Sequence, residues 1–163
     1  MKGGGDMFEI GAFVVYPGHG VGLIETIENV NVGGQAQDFY VLRILDTQMT
    51  IKVPITKNGI REPIEPKRVQ EVYNILKHGP KIPDNHQPWN QRYRSYMERI
   101  NSGSIFRVAE VLRELYCLKG GKGLSFGEKK LMATAKRLLV KELAVSVEAE
   151  EAEIKKELSC ILP

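Results

Sequence analysis

The 163 residues suffice for one medium domain or two small ones, and a 42% hydrophobic, 26% charged make-up is that of an ordinary globular chain. No apolar run nears the roughly 20 residues of a membrane span, and Met1 to Asp6 lead into no apolar stretch; the expectation is no signal peptide, no membrane contact and a cytoplasmic location. The net charge of +3 hides a segregation, the footprint of a polyanion binder: residues 67–141 hold 16 basic against 6 acidic side chains, flanked by 5 against 8 in residues 1–66 and 2 against 6 in residues 142–163.

The chain opens on strand patterns. Ala12 to Tyr16 is β-rich and ends at Pro17-Gly18, and Val21 to Glu28 carries Leu23, Ile24 and Ile27. Gly33-Gly34 suits a hairpin turn because glycine tolerates positive φ. Phe39 to Leu45 and Met49 to Ile55 are two more strands joined at Asp46-Thr47-Gln48. In the last strand Met49, Ile51 and Val53 alternate with Thr50 and Lys52, and Pro54, which has no N–H to donate, marks its end or a sheet edge. Several short strands within about 55 residues predict a small barrel of the SH3 or Tudor type.

After Pro63 and Pro66 the period changes. Val69, Val72, Tyr73 and Leu76 give a short helix that stops at Gly79-Pro80. Residues 79–88, with three prolines, read as a linker. Four helices follow. The first runs from Pro88 to Asn101. The second is capped at Ser104, carries Ile105, Val108, Ala109, Leu112, Leu115 and Tyr116, and stops at Gly120-Gly121. The third is capped by a Ser125/Glu128 box, with Leu131, Ala135, Leu138 and Leu139 inward, and the fourth is capped at Ser146, with Ile154, Leu158 and Ile161. The fold class is therefore α+β in two domains: residues 7–65 a small β-barrel, 66–87 a short helix and linker, 88–163 a basic all-α bundle.

Catalytic signatures are missing. There is no Gly-x-Ser-x-Gly, phosphate-loop Gly-Lys-Ser/Thr or His-Glu-x-x-His, so no catalytic residue, metal, cofactor or small-molecule substrate is assigned. Gly18-His19-Gly20 precedes a strand rather than a helix and reads as a tight turn. Gly120 to Gly123 reads as a helix-to-helix loop whose Lys122 can reach phosphate. Cys117 and Cys160 stand far apart and read as small buried hydrophobes. Trp89 is more informative. It opens a helix beside Arg92, Arg94 and Arg99, a combination that suits a minor groove, with cations on phosphates and the ring wedged at a base step. The competing reading packs Trp89 inward with Tyr93, Met97 and Ile100. Lys129 and Lys136 are seven apart on one helix, as are Lys130 and Arg137, and pairing with Glu128 and Glu142 competes with DNA contact there.

FEIGAFVVYPGHGVGLIETIE, then FYVLRIL and MTIKVPI, then PWNQRYRSYMERINSGSIFRVAEVLRELY and GLSFGEKKLMATAKRLLVKEL resemble, in that order, the CarD/CdnL family of bacterial transcription factors over residues 8 to 158. The resemblance implies a Tudor-like N-terminal domain that binds the RNA polymerase β subunit, similar to the module of transcription-repair coupling factor, through Ile51, Lys52, Val53 and Pro54. It also implies a helical domain that meets promoter DNA, largely independently of sequence, at the upstream edge of the transcription bubble. Trp89 matches the family's wedge, Arg92 and Arg94 its flanking cations, and Lys129 and Lys130 its Gly-Glu-Lys basic pair. Gln91 departs from the family, where a basic residue often stands two after the tryptophan. The expectation is a monomeric, cofactor-free factor that stabilises the open promoter complex. The alternatives are a sequence-specific DNA-binding repressor and a protein-only adaptor.

Overall fold

The computed structural model describes residues 8–56, 59–79, 88–122 and 124–162, and the chain divides into two compact units at Pro63/Ile64. The first unit is a four-stranded antiparallel half-barrel in the order β1 (Phe13–Tyr16), β2 (Gly20–Val32), β3 (Gln35–Ile44), β4 (Thr50–Pro54). Gly33 and Gly34, both at positive φ, make the two-residue turn between β2 and β3 as their sequence predicts. Tyr16 to His19 form the tight turn between β1 and β2, where the His19 ring stacks on Tyr16. A register shift between Ile24 and Thr26 marks a bulge in β2, which bends a 13-residue strand and curls the sheet. The concave face buries Val14, Ile24, Tyr40, Leu42 and Val53 with Ile60. The Tyr40 hydroxyl accepts from the Phe8 backbone N–H at 2.9 Å, which closes one end of this core without an orphan polar group.

The second unit has a 3-10 turn (Pro66–Arg68) and five helices: α1 (Val69–His78), α2 (Trp89–Ile100), α3 (Ile105–Lys122), α4 (Phe126–Val147) and α5 (Glu151–Ile161). The predicted stripes face inward together. Val69, Val72 and Leu76 of α1 share one core with Tyr96 and Ile100 of α2, Leu112 and Leu115 of α3, Leu139 and Leu143 of α4, and Ile154 and Leu158 of α5. Helix α1 is therefore a member of the bundle rather than part of a spacer. Arg113 of α3 donates to the Leu76 and Lys77 carbonyls at 2.6 and 2.8 Å, satisfying acceptors that α1 leaves open at its end. Residues 80–87 of the predicted 79–88 linker lie outside the described residues, as do Met1 to Met7.

Three local expectations are corrected. Helix α3 continues through Gly120 and Gly121 to Lys122, so the two glycines do not end it; the Lys122 side chain is outside the described ones. Ser146 does not cap a helix. It lies inside α4, and its hydroxyl donates to the Ile64 carbonyl, while buried Glu142 accepts from the Ile64 N–H at 2.8 Å. Both polar groups of the residue that enters the bundle are thus held by α4. That helix ends at Glu148, in the left-handed region at φ 53°, and Glu150 precedes α5. Cys117 is half-buried and Cys160 exposed, so neither is a core residue; position 160 falls outside the Ile154/Leu158 stripe.

Candidate nucleic-acid interface

The N-termini of α2 and α4 are the elements that position the candidate site. Helix α4 starts where its sequence says it should. The Ser125 hydroxyl accepts from the Glu128 N–H, and the Glu128 carboxylate accepts from the Ser125 N–H at 3.1 Å. The second Glu128 oxygen takes Arg92 of α2 at 3.3 Å. Burial alone would raise the Glu128 carboxyl, but the Ser125 hydrogen bonds and the Arg92 charge outweigh it and hold the group below its ordinary value. The capping box and the junction between α2 and α4 therefore share one carboxylate.

Trp89 stands on that junction. Its indole packs against the helical core yet stays partly exposed. The Arg92 guanidinium lies 5.4 Å from the ring centroid and Tyr93 packs beside it at 5.6 Å. The other wall is Gly127, where a β-carbon would lie 2.9 Å from Trp89 Cζ2. The glycine is thus a fit to the indole, and Arg92, paired with Glu128, lies over the ring.

The predicted cations separate into two groups. Arg92 is half-buried in its pair with Glu128. Arg99 is more deeply committed: it meets Glu114 of α3 at 2.7 Å, with side-chain exposures of 12% and 7%, and spans Tyr96 and Ser95. Burial, then the Glu114 carboxylate, raises the Tyr96 hydroxyl above its usual range. Arg94, Lys129, Lys130, Lys136 and Arg137 are exposed. No described carboxylate pairs with Lys129, Lys130 or Lys136. Of the partners that their sequence proximity suggested, Glu128 pairs with Arg92 and Glu142 accepts from the Ile64 N–H. Among the described residues of the half-barrel, β4 pairs with β3 alone and is an edge of the sheet. Lys52 is exposed and bridges to Glu28 at 2.8 Å. Val53 is buried, and Ile51 and Pro54 partly so, as the alternation predicts.

Two family signatures cover nearly all of these residues: CarD-like/TRCF RID domain over residues 8–64, and CarD, C-terminal domain over residues 71–159. The chain belongs to the CarD family. It is similar to the Bacillus subtilis protein named "Putative transcription factor YdeB", with 36% identity over 152 residues, spanning 91% of this chain and 98% of that protein. As a CarD family member the chain is a transcription factor of a non-enzymatic family. Its half-barrel is an RNA polymerase-interacting module, of the type that binds the β subunit. No helix among the described residues is long and apolar enough to cross a membrane. What sequence reasoning missed is the bracing. Gly127, Glu128 and Glu114 come from other helices, and only the Ser-x-x-Glu spacing gave Glu128 a local signal.

Proposed function

We propose that this CarD family protein stabilises the open promoter complex by docking β4 on the polymerase and setting Trp89 into the minor groove at the upstream edge of the melted DNA. The observation that carries the reading is the partly exposed indole with Gly127 against its Cζ2 edge and Arg92 over its ring, at the helix end that carries lysines with no described partner. A ring with no rigid wall would lose freedom on insertion; one already braced loses less. Arg92 serves mainly as that brace, and Arg99 joins α2 to α3. Phosphate contact falls to Arg94, Lys129, Lys130, Lys136 and Arg137. On β4, the backbone edge and Lys52 are the groups offered to a partner strand, with Ile51 and Val53 supporting from within and Pro54 closing the strand.

Docking raises the local concentration of the helical unit near DNA, so its own affinity can be weak. Trp89 then favours whichever DNA state accepts it. Melted DNA no longer charges the unstacking cost, and the ring hinders reclosure. With purified polymerase and promoter, permanganate reactivity of unpaired thymines should rise when the protein is added and should not rise with Trp89→Ala. Equal reactivity with both would refute the wedge. A repressor would instead protect a defined site without polymerase, and an adaptor would leave the reactivity unchanged.

A further inference from the structure

We infer that Phe126 is a second nucleic-acid contact, a stacking platform for an unpaired base of a strand released beside Trp89. Phe126 is the first residue of α4 and is 84% exposed, more than any other large hydrophobic side chain of the described chain. It contributes nothing to the bundle core, so neither packing nor solubility accounts for a phenyl ring at this position. Its neighbour Gly127 forms the wall behind the Trp89 indole, which places the two rings at one junction.

The surroundings specify the partner. On a helix of 3.6 residues per turn, Phe126, Lys130, Ala133 and Arg137 lie on one stripe, with Lys129 and Lys136 alongside, and all six are exposed. A face with four cations and one projecting ring disfavours a basic or purely apolar protein surface and suits a polyanion. Fully paired DNA hides the faces of its bases inside the stack, so a projecting phenyl reaches one there only at the cost of unstacking a step. An unpaired base offers a free π-face, while the cations follow the backbone on either side. This assignment rests on the proposed position of the helical unit at the edge of melted DNA, and adds a contact to the strand rather than to the groove.

The test uses the full chain and two labelled DNAs of equal length, one fully paired and one with a single-stranded arm. Phe126→Ala should bind the armed DNA about tenfold more weakly, the loss of one base stack, and the paired DNA less than twofold more weakly. Phe126→Tyr should restore the armed-DNA affinity and Phe126→Leu should not, because leucine keeps bulk without a π-face. Equal losses on both DNAs, no loss on either, or full rescue by leucine would each overturn the assignment. The ring is outside the core, so these variants should keep the wild-type urea midpoint. Permanganate reactivity with Trp89→Ala reports separately on the wedge, so either claim can fail while the other stands.

Discussion

Trp89 and Gly127 are in contact across two helices: a β-carbon on residue 127 would stand 2.9 Å from Cζ2 of the indole. The absence of a side chain at 127 therefore sets where the indole rests. Gly127→Ala should gain at most about 1 kcal/mol of helix propensity, which the overlap with the indole offsets. The same change should push the ring outward and alter the fluorescence of the chain's single tryptophan. An unchanged emission spectrum would mean that the ring is not held by this wall.

Arg99 and Glu114 form a pair with little solvent around it. Removing either partner strands a charge, so Arg99→Ala or Glu114→Ala should each cost roughly 3–5 kcal/mol in urea unfolding of the helical unit. A cost near zero would release Arg99 for DNA and reverse its assignment as a link between α2 and α3.

These two pairs also show what was legible in the chain. Features written in neighbouring residues were readable: the Gly33-Gly34 turn, the Ser125/Glu128 box, and the apolar stripes that later met in one core. Partners distant in sequence were not. Arg92 and Arg99 look alike beside Trp89, yet Glu128 and Glu114, 36 and 15 residues away, occupy both. Ser146 has the chemistry of a cap, and only the fold brings Ile64 to its hydroxyl. Helix α4 ends on Glu148 rather than on a glycine, so no stop signal was available to read. Helix α3 passes through two glycines against their propensity, a case where local preference gave the wrong boundary.

Lys129 and Lys130 are exposed and have no described carboxylate partner. Lys129→Glu or Lys130→Glu should change stability by no more than about 0.5 kcal/mol. Each lost phosphate contact should reduce the slope of log affinity against log salt by about 0.9. A salt slope identical to wild type would remove these lysines from the interface.

Glu128 gives the helical unit a pH dependence. Its carboxyl is held below its ordinary value of 4.5, so the folded state favours the charged form. That contribution is complete above the unfolded-state value and is lost as pH falls through the folded one. Glu128→Gln keeps a capping side chain but no charge. The stability gap between wild type and variant should therefore be constant from neutral pH to about pH 5 and shrink below that. A gap that stays constant into the acid range would show that the charge contributes nothing.

On the half-barrel, Lys52 is exposed at an edge strand and its bridge to Glu28 is solvated, so Lys52→Glu should unfold with a nearly wild-type midpoint. Capture of polymerase should weaken, and undiminished capture would place docking elsewhere on this unit.

The lifetime of open complexes bears most directly on the central claim. Complexes formed with wild-type protein or Trp89→Ala at matched polymerase occupancy would be challenged with competitor DNA and their decay followed. The account predicts decay up to about tenfold faster for the variant, equivalent to a bias of about 1.4 kcal/mol. Identical decay, with the variant still bound to polymerase, would contradict it.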